Sequence, residues 1–388
     1  MKKRLAIITT HPIQYNFPLF RTLAQRQNIE IRVFYTWGKA SAGNKFDPGF
    51  GKAVEWDIPL LQGYDFQFLE NTSVQPGSHH FKGIINPDAV RQIDKWQPDA
   101  ILVYGWSFKS HLRLMRHYKG KIPVFFRGDS TLLDDQPAIK SLVRSLFLKW
   151  VYSFVDKVFY VGSNNKEYFR RNGVRESQLI LAPHAIDNGF FQGKKDYYEQ
   201  EAKDWRRRLG IEEDVMVFLF AGKFESKKSP LLLMEAFKKC AFPGDVHLVL
   251  VGNGPLEDQL REEAQSPNIH IAGFQNQTRM PVVYRLADVV VLPSGGPGET
   301  WGLAINEAMA SGRPVIASSK CGGAIDLIKE GFNGSVFNAG DIGQLMDKMK
   351  QLYSSRAAIG EMGQNALSHI QQFSIERIAK AIEQTTIG

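Results

Sequence analysis

Short apolar runs alternate with longer segments of helical period along the first half of the chain. Runs that are apolar throughout indicate strands buried on both faces, and their alternation with helices is typical of a parallel sheet of βαβ units. The segment 37–83 interrupts the pattern with glycines, aromatics and prolines, and it predicts an elaborated loop. The predicted strands are 5–10, 29–36, 100–104, 122–126, 157–161 and 179–181.

The same alternation restarts in the second half and predicts a second doubly wound sheet. A polar stretch at 187–204 lies between the two halves and predicts the inter-domain linker, with a basic helix beginning at 205–208. The fold class is therefore α/β, with domains at 1–187 and 188–372. The predicted strands of the second domain are 215–220, 246–251, 269–272, 289–292, 315–317 and 335–337.

Length and composition agree with two ordinary globular domains, since 388 residues contain 43% apolar and 23% charged side chains. Cys240 and Cys321 lack any pairing pattern, which favours a reducing compartment over a disulfide framework. The apolar run near Met1 is too short for a signal peptide or a membrane span, so we expect a cytoplasmic protein. The net charge of +8 favours anionic partners, either nucleotide phosphates or lipid head groups, with nucleic acid the weakest candidate.

Ligands of an open parallel sheet collect at the carboxyl ends of its strands, so the loops there are the candidates for chemistry. The loop after 215–220 carries Gly222, Lys223 and Lys228, and the two ammonium groups could neutralise a diphosphate. A solvated loop is the ordinary alternative for these lysines. The next loop has Gly252 and Gly254 before a helix that we expect to begin at Pro255, and these glycines suit either close ligand approach or a tight turn.

The Gly-rich loop after the predicted strand 289–292, together with the helix that follows it, contains further candidate ligand contacts. It presents Glu299, and Gly302 then opens a helix whose free N–H groups attract phosphate. Glu307 follows among apolar neighbours, which indicates a specific partner, and its carboxylate can accept the two hydroxyls of a ribose. The loop 320–323 either adds backbone donors or is a plain turn. The candidate donor contacts on the Gly-rich loop and its helix are Glu299, Thr300, Trp301, Gly302, Leu303 and Glu307.

These segments resemble the C-terminal half of the GT-B glycosyltransferases, specifically the retaining enzymes of family 4. The resemblance lies in Glu299, seven residues and Glu307, with their flanks Pro-Ser…Glu-Thr-Trp-Gly-Leu…Glu-Ala-Met-Ala-Ser-Gly-Arg-Pro, and in the Gly-Lys…Lys loop upstream. It implies two Rossmann-like domains facing across a cleft, a nucleotide-sugar donor in the second, and residues 373–388 crossing back to the first. It also implies that Lys223 and Lys228 bind the donor diphosphate, Glu299 the transferred sugar and Glu307 the ribose, without a metal or other cofactor.

The first half matches this family only in strand order. Relatives commonly have Arg where this chain has Lys223, a Gly-rich loop after the first strand, and a histidine where Arg127 stands. A subset of bacterial polysaccharide glycosyltransferases is similar to the variant found here. The candidates for the acceptor or sugar side are His11, Gln14, Tyr104, Arg127 and Asp129.

The helix expected at 138–154 combines Lys140, Arg144 and Lys149 with many apolar residues. Such a helix suits peripheral contact with an anionic membrane, or a core helix with a solvated face. The family resemblance implies a retaining hexosyltransferase that uses a UDP- or GDP-sugar and a saccharide or lipid-linked acceptor in cell-surface polysaccharide biosynthesis. The alternatives are a nucleotide-sugar epimerase and a non-catalytic nucleotide-sugar binding protein.

Overall fold

The computed structural model describes residues 2–43, 45–47, 49–50, 52–134, 138–242 and 246–388, and of these the side chains of 42, 45–47, 52–54 and 138–140 lie outside the description. The chain forms two compact units. Unit 1 contains Met1–Asn44, Ile58–His184 and Ile375–Gly388, and unit 2 contains Lys45–Asp57 and Ala185–Ser374.

Unit 1 is built on a seven-stranded parallel sheet in the order β5-β2-β1-β6-β7-β8-β9. The order reverses between β1 and β6, which makes the carboxyl ends of those strands the topological switch point. The strands are β1 Arg4–Thr9, β2 Glu30–Tyr35, β5 Phe66–Phe68, β6 Ala100–Tyr104, β7 Val124–Arg127, β8 Lys157–Tyr160 and β9 Leu179–Leu181, and a separate antiparallel hairpin has β3 Lys45–Asp47 and β4 Lys52–Val54. The helices are α1 Phe17–Arg26, α2 Ala89–Asp94, α3 Lys109–Tyr118, α4 Ala138–Tyr152 and α5 Ser163–Arg171.

Unit 2 has a six-stranded parallel sheet in the order β12-β11-β10-β13-β14-β15, which reverses between β10 and β13. Its strands are β10 Met216–Ala221, β11 Val246–Val251, β12 Ile269–Ala272, β13 Val289–Leu292, β14 Val315–Ser318 and β15 Gly334–Phe337. The remaining helices are α6 Asn188–Gln192, α7 Lys195–Arg208, α8 Pro230–Cys240, α9 Glu257–Glu263, α10 Met280–Arg285, α11 Leu303–Ala310, α12 Ala324–Leu327, α13 Ile342–Ser354, α14 Ile359–Ile370 and α15 Ile375–Ile387.

The predicted strands are thus present in both sheets, because most of them are runs of buried apolar residues. In β10 every residue is buried, and β1 is buried from Leu5 onward. The strand β5 was not predicted. Its sequence is Phe-Gln-Phe, so Gln67 interrupts the apolar run by which the other strands were identified.

The linker predicted at 187–204 is wrong. These residues form α6 and most of α7, and Glu199 on α7 pairs with Arg285 at 3.3 Å and with Arg313 at 3.0 Å. The basic segment 205–208 ends α7 rather than beginning a helix, and Arg206 pairs with Asp288 at 2.7 Å. A polar helix held by ion pairs lacks the apolar period that sequence patterns detect.

The C-terminal helix α15 belongs to unit 1 and contacts α1. Its buried Glu383 accepts hydrogen bonds from the Arg26 side chain at 2.9 Å and from the Asn28 amide at 3.0 Å. The hairpin segment 45–57, by contrast, lies in unit 2, although its sequence position assigned it to the first domain. Among the helices that the structure describes, none combines the length and apolarity needed to cross a bilayer.

Candidate active site

The carboxyl ends of β10, β11, β13 and β14 lie at one edge of the second sheet, since all four strands are parallel neighbours. The four loops selected from the sequence follow these strands and therefore share that edge. The loops after β10 and β13 flank the topological switch point, where ligands of doubly wound sheets bind.

Lys228 and Glu299 meet at this switch point. The Lys228 ammonium forms an ion pair with Glu299 Oε2, and the Ser294 hydroxyl donates to the same oxygen at 3.0 Å. The side chains of Lys228 and Glu299 are 20% and 10% exposed, so the pair is largely shielded from water. Charges in such a position interact more strongly than on the open surface. Lys228 and Glu299, both predicted from the sequence, thus form one charged centre together with Ser294, which was not predicted.

The loop 320–323 holds the Glu299 segment in place. The amide of Gly322 donates to the Glu299 carbonyl at 3.0 Å, and the amide of Gly323 donates to the Trp301 carbonyl at 2.8 Å. The N–H groups of Lys320 and Cys321 bond to Ser318. Because these donors are used inside the protein, the suggestion that this loop adds backbone donors for a ligand is wrong.

Helix α11 begins after Gly302, as predicted, with Gly302 in the left-handed conformation at φ +89°. Trp301 is buried beneath the helix start, and its indole N–H donates to Asn306 at 2.8 Å. Trp301 therefore has a structural role at the start of the helix. Thr300 and Leu303, on either side of it, are half-buried. The first amides of α11 retain the donor capacity and positive dipole of a helix N-terminus.

Glu307 has the specific partner that its apolar surroundings indicated. Its side chain is 3% exposed, and its Oε2 accepts a hydrogen bond from the hydroxyl of Tyr284, on α10, at 2.6 Å. The sequence offered no signal for Tyr284, which lies 23 positions upstream. The carboxylate is thereby held in one orientation on α11.

The loops after β10 and β11 are packed backbone against backbone. A Cβ added to Gly252 would lie 1.9 Å from the Gly222 carbonyl oxygen, and one added to Gly254 would lie 2.6 Å from the Phe224 carbonyl oxygen. The amide of Phe224 also donates to the Asn253 carbonyl at 2.8 Å. Contact between two loops therefore requires these glycines, and the same contact fixes the backbone that presents Lys223.

The hairpin segment 45–57 packs against this part of unit 2. The Lys223 ammonium lies 4.8 Å from the centre of the Phe50 ring, and Phe50 contacts Phe274 edge to face at 4.7 Å. Asp57 accepts from the amide of Thr278 at 3.1 Å. A cation beside an aromatic face is stabilised by the ring quadrupole. The sequence did not predict these contacts, because the segment is remote in the chain from the loops that it meets.

Replacing Gly252 by alanine is expected to destabilise unit 2 by about 1–3 kcal/mol, because the new Cβ would force the two loop backbones apart. The melting temperature measures the effect. Gly360→Ala is the matched control, since Gly360 is exposed on α14 with nothing within 4 Å of the added Cβ. A Gly252→Ala protein that melts with the wild type would contradict the packing described.

The acceptor-side candidates lie at or beyond the carboxyl edge of the first sheet. His11 follows β1, and its Nδ1 lies 2.8 Å from the Thr10 hydroxyl, with its ring edge-on to Trp37 at 5.1 Å. Gln14 is half-buried in the turn before α1. Tyr104 ends β6, and its hydroxyl is buried without a hydrogen-bond partner among the described residues.

Arg127 is buried at the end of β7 and donates to the carbonyls of Ala182 at 2.7 Å and Pro183 at 3.4 Å. Burial lowers its pKa, and neighbouring Tyr104 and Asp129 counteract this shift. Its guanidinium therefore holds the segment that leads to His184. Any ligand contact by Arg127 is limited to the part of the fork that these carbonyls leave.

Two histidines of this edge were not among the sequence candidates. Burial lowers the pKa of His111 to about 4, and its ring bonds to the Thr36 hydroxyl at 2.8 Å and the Gly105 carbonyl at 2.9 Å. Burial, together with the charge of Arg127, lowers the pKa of His184 to about 4. Neither lies in a recognisable motif, so only the assembled sheet edge identifies them.

Comparison with known proteins finds a family match for part of this chain. Residues 201–369 match the family described as glycosyl transferases group 1. An uncharacterized glycosyltransferase of Methanocaldococcus jannaschii is 33% identical over 139 residues, which are 35% of each chain. The lipopolysaccharide 1,2-N-acetylglucosaminetransferase of Salmonella typhimurium is 32% identical over 162 residues, which are 38% of this chain and 41% of the relative. The chain thus matches less than half of the length of each relative.

Among solved structures, Anabaena HepE in complex with UDP and glucose superposes with a TM-score of 0.70 over 99% of both chains, at 17% sequence identity. Identity at this level is informative about the fold alone. The two parallel-sheet units and this likeness establish the GT-B fold. With its candidate site inside the matched segment, this GT-B chain carries, at residues 201–369, a domain of the glycosyl transferases group 1 family.

Proposed function

We propose that the chain is a retaining hexosyltransferase, which transfers a sugar from a UDP- or GDP-sugar to a saccharide or lipid-linked acceptor in cytoplasmic steps of cell-surface polysaccharide synthesis. The observation that carries the proposal is the Lys228–Glu299–Ser294 centre at the switch point of the second sheet. It lies inside the segment that matches the glycosyltransferase family.

The donor diphosphate has two cations and one helix N-terminus available at this edge. Lys228 is already held against Glu299, and Lys223 is held beside Phe50, so both ammonium groups are positioned before a ligand arrives. In the proposed complex, the diphosphate competes with Glu299 for Lys228. Glu299 then turns to the hydroxyls of the transferred sugar, while the amides at the start of α11 face the phosphate.

In the proposed reaction the acceptor hydroxyl oxygen forms a bond to the anomeric carbon, on the face from which the diphosphate leaves. The bond between that carbon and the diphosphate oxygen breaks, and its electron pair remains on the diphosphate. The leaving phosphate takes the acceptor proton, while Lys223 and Lys228 stabilise the growing negative charge. Because the protein supplies both cations, the proposal requires no metal or other cofactor.

Support for the identity of the donor comes only from the proteins to which this chain is similar. The Anabaena structure contains UDP and glucose, and the Salmonella relative is named for N-acetylglucosamine transfer to lipopolysaccharide. We propose that the ribose of the donor bonds to Glu307, whose orientation Tyr284 fixes. Unit 1 is proposed to bind the acceptor at the edge that contains His11, Gln14, Tyr104 and Asp129.

The test is a panel of UDP-, GDP- and ADP-sugars, first by thermal shift and then by product analysis with and without saccharide acceptors. A donor that binds the native protein raises its melting temperature. We expect nucleotide release that depends on the acceptor and a product with the anomeric configuration of the donor. An isomerised donor formed without acceptor would identify an epimerase, and tight binding without turnover would identify a binding protein.

A further inference from the structure

Helix α4 in unit 1 exposes its large apolar side chains. Leu142, Val143, Leu146, Phe147 and Trp150 are each between 41% and 63% exposed. Their spacing of three and four residues places them along one side of the helix. Single exposed hydrophobic residues are ordinary on proteins, but a contiguous apolar surface of this kind indicates an interaction site.

The opposite side of α4 contains the buried residues of the helix. Ser141 and Ser145 are half-buried and share a side with buried Leu148 and Tyr152. Over its first turns α4 thus turns small polar residues inward and leucines outward, the reverse of an ordinary surface helix. No other segment of the described chain covers the apolar side of α4, since Leu142, Val143 and Leu146 remain more than half exposed.

A row of aromatic rings connects this surface with the candidate acceptor edge. Trp106 contacts Phe147 at 5.4 Å, Phe147 contacts Trp150 at 5.5 Å, and Trp150 contacts Phe154 at 5.1 Å. Trp106 lies two residues after Tyr104, at the carboxyl end of β6. The exposed apolar surface of α4 is therefore adjacent to the loop that follows β6.

The charged residues of α3 and α4 are all cationic. The sequence has no Asp or Glu at 109–121 or at 138–154. The Arg116 guanidinium lies 5.7 Å from the Trp150 ring centre and so borders the aromatic row directly. The exposed cations on α3, directly after it and on α4 are Lys109, Arg113, Arg116, Lys119, Lys121, Arg144 and Lys149, and of these Lys119 pairs with Asp156. The Lys140 side chain lies outside the described residues.

We propose that this surface, formed by α3, α4 and Trp106, docks on an anionic lipid bilayer. The leucines would enter the acyl boundary, the tryptophans would lie at head-group depth, and the cations would pair with lipid phosphates. A symmetric contact with a second copy is disfavoured, because it would bring cations of the same sign together. The choice of a lipid-linked acceptor rests on the proposed function, since docking would bring the candidate acceptor edge of unit 1 to the membrane interface.

The full-length protein should be sedimented with vesicles of phosphatidylcholine containing 30% phosphatidylglycerol, and with vesicles of phosphatidylcholine alone. Leu142→Ser combined with Leu146→Ser removes two side chains that are 63% and 60% exposed, so folding is preserved. Ile325→Ser in unit 2 is the matched control, since Ile325 is 66% exposed. We expect binding to the anionic vesicles that salt weakens, a loss of at least about tenfold in the Leu142/Leu146 variant, and no change in the control.

Several outcomes would overturn the proposal: no binding to the anionic vesicles, equal binding to both vesicle types, or equal binding by the Leu142/Leu146 variant. A wild-type protein that is dimeric and becomes monomeric in this variant would instead identify a protein interface. Vesicle binding requires no turnover, and nucleotide release with a water-soluble acceptor measures the proposed function separately. The variant should retain that release, so a failure of one proposal is distinguishable from a failure of the other.

Discussion

Replacing Lys228 by alanine is expected to lower kcat by about 10²–10³-fold, because the leaving diphosphate loses a positioned cation in a partly shielded site. The loss corresponds to about 3–4 kcal/mol of transition-state stabilisation. Glu299 loses its ionic partner at the same time and keeps the Ser294 hydroxyl. Nucleotide release, measured with the donor that the panel identifies, gives the effect on kcat and KM.

Two variants control this experiment. Lys227→Ala removes the neighbouring, more exposed lysine, which pairs with Glu225 at 3.2 Å, and it should remain within about twofold of the wild type. Lys228→Arg keeps the charge in a longer and planar group and should recover part of the rate. A Lys228→Ala enzyme with wild-type kcat and KM would show that Lys228 does not contact the donor.

Lowering the pH from 7 to about 4 is expected to destabilise unit 1 strongly through its buried histidines. His111 has a pKa of about 4 in the folded chain, whereas the ordinary value for histidine is 6.5. The unfolded state therefore binds more protons than the folded state between these two pH values. The contribution of neutral His111 to the free energy of unfolding is fully present above pH 6.5 and is lost as the pH decreases toward 4. For His111 the full difference is about 3 kcal/mol. His184, with a pKa also lowered to about 4, adds to the loss in the same direction.

The urea midpoint at pH 7, 5.5 and 4.5 measures this dependence. His111→Gln should show a smaller decrease between pH 7 and 4.5, whereas exposed His79→Gln should retain the full decrease. The lowered pKa values of Asp99 and Glu330 affect stability only at more acidic pH, since the ordinary pKa values of these carboxyl groups are 3.8 and 4.5. A midpoint that stays constant from pH 7 to 4.5 would contradict a neutral, buried His111.

The architecture could be predicted from the sequence because most strands are short apolar runs that alternate with segments of helical period. The bounds of β6, β9, β11, β12 and β13 agree with the prediction residue for residue. The error at α7 has the opposite cause, since that helix is polar and is held by pairs such as Glu199 with Arg313. Ion pairs between distant positions leave no local pattern.

The candidate site could be predicted in part, for a related reason. The edge on which Lys228 and Glu299 lie follows from strand order, but their direct contact and the Ser294 hydrogen bond depend on the path of two loops. The partner of Glu307 was expected without its identity, which proved to be Tyr284. The glycines at 252 and 254 were open to two interpretations, and the close approach of neighbouring backbones explains both positions.

The sequence by itself predicted two parallel sheets, the loops at their carboxyl ends and the charged residues in those loops, because apolar runs and their alternation with helical segments are local features of the sequence. Only the tertiary structure decided which of these residues meet, that Phe50 lies beside Lys223, and that α4 turns its leucines outward. Such contacts join positions far apart in the chain. They depend on how elements pack, which no window of sequence contains.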